Sequence, residues 1–322
     1  MTDRFEVVDR DGAARLGELR LADPVTTPAI ADDLVQDAGS RWPTDRPTPD
    51  GQADRLTVLP HRGFPGGTDT RVQTSFAPEP VGIEAPSAVV VAPATAADYG
   101  ADAYLLSNAQ ALVGHAAAFR EAIVDTRTAI PPDTALYLSG VATPRNVATL
   151  VYSGVDLVDT HRAVVAGTRG RYLTVADDYD LDRLAELPCS CPPCQRPREE
   201  FSVDDCIAHN VNALEAALAT VRQRVRDGRL RDYLEGQARH AQWCTATLRE
   251  FDAEWGYLER RTPVRRRAEI TAASEDTLHR VEIQRFAHRL TTRYRNRFDA
   301  PCVLVPCSAR KPYSSSQSHE QF

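Results

Sequence analysis

Ala135-Leu136-Tyr137-Leu138-Ser139-Gly140-Val141-Ala142-Thr143-Pro144-Arg145-Asn146-Val147-Ala148-Thr149-Leu150-Val151, followed at once by Asp156-Leu157-Val158-Asp159-Thr160, decides the reading of the fold. The first apolar run ends at Gly140 and reads as a strand. Thr143 as N-cap and Pro144 in the first turn open a helix. A second short apolar strand starts at Asp156. Continuous apolar strands bridged by a helix imply parallel strands, buried on both faces and joined by right-handed crossovers.

The same alternation extends upstream. Ala88-Val89-Val90-Val91-Ala92 reads as a buried strand and Ala103-Tyr104-Leu105-Leu106 as another. Residues 108–127 predict one helix, with apolar spacing at Leu112, His115, Ala116, Phe119 and Ile123. The chain is therefore α/β, with a closed barrel or part of one. Before it, Phe5-Glu6-Val7-Val8 and Leu16-Gly17-Glu18-Leu19-Arg20-Leu21 predict a hairpin around Asp11-Gly12. Thr26-Thr27-Pro28-Ala29-Ile30 adds a third strand. Residues 40–85, rich in Pro and Gly, predict loops around a short strand at Arg55-Leu56-Thr57-Val58-Leu59. After the barrel, helices are expected over 210–227 and 229–250, broken at Asp227-Gly228. A basic link follows over 258–270, then a helix from a Ser274-Glu275-Asp276 cap to about Phe298. A strand over Ala300 to Val305 closes the chain.

The chain has 322 residues and a net charge of −7, which argues weakly against nucleic acid unless a local basic stripe overrides it. It has no apolar run long enough to span a membrane and no apolar leader after Met1, so a cytoplasmic protein is expected. Of 38 basic residues, a single one is lysine, Lys311. It lies in Pro306-Cys307-Ser308-Ala309-Arg310-Lys311-Pro312-Tyr313-Ser314-Ser315-Ser316-Gln317-Ser318-His319, beside a thiol, a phenol, hydroxyls and an imidazole. A chain that otherwise avoids lysine and keeps one here points to its chemistry.

Three of the seven cysteines form C-x-C-x-x-C at Cys189, Cys191 and Cys194. Such spacing turns successive thiolates toward one tetrahedral ion. His209 is the first choice as fourth ligand and Cys206 the rival. A closed Cys₃His set predicts structural Zn2+, which holds the local fold and activates no water.

These residues resemble a known family. C-x-C-x-x-C followed by His209-Asn210 at a helix start is similar to the zinc site of the tRNA-guanine transglycosylases. Tyr137 to Pro144 resembles a late barrel strand of that family. Gly154-Val155-Asp156-Leu157-Val158-Asp159 resembles the strand carrying its nucleophilic aspartate, which maps to Asp159. Phe5 to Val7, Ala14 to Gly17 and Thr27 to Ala29 resemble its N-terminal hairpin. The Pro-Cys-x3-Lys-Pro-Tyr-x2-Ser-x2-His stretch resembles the signature of the archaeosine synthase family, a paralogue of those enzymes.

That resemblance implies a degenerate or reduced TIM-barrel-like transglycosylase domain (1–185) and a zinc-binding helical subdomain (186–250). An α/β segment carrying the signature follows (251–322), the start of a C-terminal domain that reads as truncated. It implies tRNA modification, in which the nitrile of a 7-cyano-7-deazaguanine in the D-loop becomes an amidine by addition of an amine, from lysine or glutamine. It also implies a partner chain supplying further C-terminal or PUA domains, and no membrane. The transglycosylase motif Asp-Ser-Gly-Gly-Phe/Tyr-Gln is absent, as is the Gly-Gly-Leu pocket loop, and Thr160-His161-Arg162 follows Asp159. The barrel portion is too short for eight β/α repeats.

The implied roles follow from chemistry. A nitrile carbon is electrophilic, so Cys307 is the candidate nucleophile, giving a thioimidate that an amine then displaces. Lys311 or His319 would lower its pKa or move protons. Tyr313 and Ser316 would donate hydrogen bonds to the developing imide nitrogen. Each has a plainer reading, as a buried thiol or an RNA-binding loop. Asp159 is a glycosyl nucleophile or a retained structural carboxylate. Arg285, Arg289 and Arg293, on one face of the last helix, together with Arg265, Arg266 and Arg267, form the candidate tRNA contacts, against a solvated helix face. Base exchange by a true transglycosylase and an inactive tRNA-binding or partner subunit remain the alternatives.

Overall fold

The computed structural model describes residues 2–39, 49–65, 67–76, 81–266, 268–301, 310–317 and 319, and for Arg310 and Lys311 the backbone alone. The chain opens with β1 (Phe5–Asp11), β2 (Ala14–Leu19) and β3 (Val25–Thr27), an antiparallel sheet in that order. The expected third strand divides at Pro28. Proline has no N–H to give a ladder, and beyond it β4 (Ala29–Ile30) leaves β2 to pair in parallel with another strand. Next come β5 (Val35–Asp37), β6 (Leu56–Val58), α1 (Thr70–Ser75), β7 (Ser87–Val91) and β8 (Ala103–Leu106). The helix expected over 108–127 is two, α2 (Ala109–Leu112) and α3 (Ala116–Ala129), because Gly114 between them has φ +109°. After β9 (Ala135–Leu138), Thr143 holds a turn through its hydroxyl and Asn146 N, and α4 (Val147–Tyr152) starts three residues later than Pro144. β10 (Leu157–Val158) and α5 (His161–Thr168) complete the β/α series.

The sheet runs β4-β10-β9-β8-β7-β6-β5, and every neighbouring pair is parallel. Its two ends, β4 and β5, are consecutive in the chain. Laid flat, seven strands would separate their edges by about 29 Å. The chain from Ile30 to Val35 reaches at most about 18 Å. The sheet must therefore curl until its edges meet. Ala31 N bonds Val158 O (2.7 Å) on one side and Leu56 N bonds Leu34 O (2.7 Å) on the other, and a turn from Leu34 N to Ala31 O (3.0 Å) joins the two edges through one segment of chain. The result is a reduced barrel of six positions, with β4 and β5 sharing one.

The period-2 alternation of strands sorts the two faces. Ala88, Ala103, Ala135, Tyr137, Leu157, Leu56 and Val58 form the inner cluster, with Phe5 and Leu19 of the N-terminal sheet against it. Val89, Val91, Tyr104, Leu106, Leu136, Leu138 and Val158 face the helices. On β7, β8 and β9 the inner face pairs an alanine (Ala88, Ala103, Ala135) with one larger residue (Val90, Leu105, Tyr137), so side chains fill the narrow interior.

The remainder packs around it as β11 (Arg171–Leu173), β12 (Asp178–Asp180), α6 (Val203–Arg226), α7 (Leu230–Gln237), α8 (Gln242–Ala253) and α9 (Trp255–Arg261). The break at Asp227-Gly228 is observed, and Gly228 has φ +60°. Helix α6 begins seven residues earlier than expected, where Ser202 and Asp205 cap it reciprocally. It lies so close to α5 that a Cβ at Gly167 would stand 2.7 Å from Ile207 Cα.

Last come β13 (Ile270–Thr271), α10 (Val281–Thr292) and β14 (Arg310–Lys311), which pairs antiparallel with β13. The helix expected over 276–298 is a short turn (Glu275–His279) and then α10. Arg280 divides them: its backbone is extended, and its fully buried guanidinium pairs with Asp232. The strand expected over 300–305 lies mostly outside the described residues. Among those described, no helix is long and apolar enough to cross a membrane.

Candidate metal centre and barrel-mouth site

Cys191 and Cys194 are placed by a Pro192–Gln195 turn, and Cys194 N bonds Cys191 O (2.9 Å). The first turns of α6 bring His209 to them. Cys189, Cys191, Cys194 and His209 have donor atoms all within 4.8 Å of one another. His209 Nδ1 lies 3.4 Å from Cys191 Sγ and 3.3 Å from Cys194 Sγ, and the two sulfurs are 3.5 Å apart. A tetrahedron with Zn–S bonds of ~2.3 Å has S–S edges of ~3.8 Å, so the pocket is of the size the ion needs. His209 Nε2 is 2.9 Å from Leu173 O, which holds its proton there and leaves the Nδ1 lone pair for the thiols. Tyr172 stacks on the imidazole at 3.7 Å and lies 3.2 Å from Cys194 Sγ.

Burial, more than the adjacent thiols, pushes Cys194 up to about 12. Burial also pulls His209 down. Such a pocket resists charge on its own, and a dication is what stabilises thiolates in it. Cys206 is buried too, raised to about 11 by burial, but its sulfur faces Arg171 O at 3.5 Å. The group that could hold a metal is the Cys₃His set.

Asp159 ends β10 at the C-terminal mouth of the barrel, where enzymes of barrel architecture carry their chemistry. It is wholly buried. Gly140 N bonds both of its oxygens at 2.9 Å, Tyr137 OH donates at 2.8 Å and His161 N at 3.2 Å. His161 Nδ1 lies 3.2 Å away on the exposed side. Burial, then the Asp159 charge, pushes the Tyr137 phenol well up, so it stays a donor. Asp32 bonds Thr160 N at 3.1 Å and its hydroxyl. Asp156, three residues before Asp159, sits at the other end of β10. Arg15 grips it at 2.6 and 2.7 Å, Arg127 also pairs with it, and Leu136 N donates at 2.7 Å. Burial pushes Asp156 up, but the two arginines more than reverse it and hold it below its ordinary range.

Of the signature residues, Cys307 lies outside the described residues. The Lys311 backbone pairs with Ile270. The rings of Tyr313 and His319 meet at 4.7 Å, and Ser316 is buried in the turn between them. The candidate tRNA arginines divide. Arg266 bridges Asp11 at 3.0 Å and Glu282, and Arg285 bonds Glu259 and three backbone carbonyls. Arg265, Arg289 and Arg293 are exposed, the last two beside Trp255 and His288. Arg267 lies outside the described residues.

Reading the sequence missed Tyr137, His161 and Asp32 around Asp159. The one available signal was Asp159 sitting two residues before a histidine. It also missed the β11–β12 hairpin, whose Leu173 carbonyl orients His209.

The family described as "Queuine tRNA-ribosyltransferase" matches residues 91–242, and a domain of unknown function, DUF5591, matches residues 283–322. An archaeosine synthase of Haloferax volcanii is 60% identical over all of this chain, which covers 55% of that protein. An archaeosine synthase subunit alpha of Methanosarcina acetivorans is 37% identical over the full chain and 57% of its own length. A tRNA-guanine(15) transglycosylase of Haloferax volcanii is 30% identical over 53% of this chain and 34% of its own. The chain thus spans just over half the length of the archaeosine synthases it matches.

Proposed function

We propose that the chain is of the archaeosine synthase family, a branch related to the tRNA-guanine transglycosylases, and that it acts in tRNA modification on a cyano-deazaguanine already in the tRNA. The observation that carries the reading is the state of Asp159. It is wholly buried and held by Gly140 N, Tyr137 OH and His161 N, on a barrel whose interior is filled by its own side chains. A carboxylate so engaged is not free to attack a ribose carbon, which disfavours base exchange. The chemistry then falls to the signature.

In this reading the Cys307 thiolate adds to the nitrile carbon, and the nitrile nitrogen takes a proton, giving a thioimidate. The amine of lysine or glutamine then attacks that carbon and loses a proton, the C–S bond breaks, and an amidine leaves the thiol free again. Lys311 and His319 are the candidate proton carriers, with Tyr313 and Ser316 donating to the imide nitrogen. The Tyr313–His319 contact supports a shared role for those two. The Cys₃His group would hold structural Zn2+, fixing the start of α6 against β11. A partner chain is proposed as well, from the name of the Methanosarcina relative.

Nucleoside mass spectrometry tests this. The chain is incubated with tRNA bearing 7-cyano-7-deazaguanine and, separately, lysine, glutamine or ammonium. A mass gain equal to the added amine, lost in Cys307→Ala, is expected. An unchanged cyano base with tRNA still bound would leave a binding subunit as the better reading.

A further inference from the structure

One cleft opens beside the barrel mouth, between Gly140, the outer face of α5, the β11–β12 hairpin and the start of α8. Four guanidiniums line it: Arg145 before α4, Arg162 in the first turn of α5, Arg169 just past its end, and Arg171 on β11. The carboxylate in its lining is Asp178. Arg145 pairs with Asp178 at 2.5 Å and with Asp177 at 3.2 Å, and Arg171 bonds the Asp178 carbonyl at 2.8 Å. Arg162 and Arg169 are exposed and make no ion pair among the described residues. The cleft therefore keeps an excess of positive charge in a protein whose net charge is −7. Trp243 also lines it, with a buried indole N–H that has no hydrogen-bond partner among the described residues.

We propose that this cleft is an RNA-backbone subsite in which Arg162 and Arg169 contact phosphates and Arg145 and Arg171 form a fixed floor. Arginine forks fit phosphate oxygens bidentately, and such contacts position a nucleic acid without reading its sequence. The subsite adjoins the metal group: Leu173 lines the cleft, its carbonyl holds His209 and its N–H bonds Asn210 Oδ1 at 2.8 Å. It is distinct from the arginines at and around α10. The inference rests on the tRNA reading above.

The test is the salt dependence of binding to a full-length tRNA transcript, followed by anisotropy. Each phosphate contact contributes a slope of about −0.7 to −0.9 in log K against log salt. Arg162→Ala/Arg169→Ala is expected to flatten the slope by about 1.4 to 1.8, while Arg162→Lys/Arg169→Lys keeps most of it. Wild-type binding with an unchanged slope in the alanine pair overturns the subsite and leaves the tRNA reading standing. Equal loss in the lysine pair also overturns it, since charge would then not be the cause. No wild-type binding at any salt overturns the tRNA reading itself, and the subsite with it.

Discussion

Two aspartates three residues apart on one short strand have opposite situations. Asp159 faces the mouth and is held by neutral donors and His161. Asp156 faces the base of the barrel and is neutralised by Arg15 and Arg127, both themselves buried. Removing the charge from Asp156 leaves two buried guanidiniums facing each other. Asp156→Asn is therefore expected to cost about 3–5 kcal/mol near neutral pH. Because the folded pKa lies below the ordinary value of ~3.9, the carboxylate's contribution is complete above that pH and fades as pH falls through the folded pKa. Urea midpoints of wild type and variant, compared at neutral pH and near pH 3, should converge on the acid side. A gap of equal size at both would mean the Asp156 charge is not what stabilises the strand.

At the scale of elements, what the sequence made legible is what local chemistry determines. Ala88 to Val91 could only be a doubly buried strand, and the C-x-C-x-x-C spacing needed no tertiary context to bring the thiols together. What it concealed depends on partners distant in the chain. The end of the helix before Arg280 is set by Asp232, 48 residues away, and the division at Pro28 by two different neighbouring strands. The β11–β12 hairpin has no strong alternation, since both strands are three residues long and β12 is half-buried throughout. Its place comes from α6, through Asn210 and His209. That dependence yields a test of the metal group. His209→Ala should abolish bound zinc, measured as metal per chain after dialysis, and expose the 171–205 segment to protease. Cys206→Ser should leave the metal content unchanged. Zinc retained in the His209 variant would return the fourth place to Cys206.

At the scale of the whole molecule, the seam at Ala31–Leu34 lets a chain with too few β/α units still close its barrel, at the expense of interior space. The C-terminal segment is tied to that barrel mainly by charge. Arg266, from the link after α9, reaches Asp11 at the tip of the first hairpin and Glu282 on α10. Asp11 also accepts from Leu230 N at 2.7 Å. Burial pushes Asp11 up, and Arg266 is the largest influence opposing it. Hairpin, link, α7 and α10 thus share one buried charge cluster, and the strand bearing Lys311 follows from it through β13. Arg266→Ala would leave Asp11 buried without a cation and Glu282 with Arg280 alone at 3.7 Å, a loss of about 3–5 kcal/mol by the usual cost of breaking a buried pair. The penalty belongs to the joint and not to the barrel. Hydrogen exchange should therefore accelerate across α10 and β13 while β7 to β9 stay protected. Uniform acceleration over the whole chain would mean that the C-terminal segment and the barrel unfold as one unit.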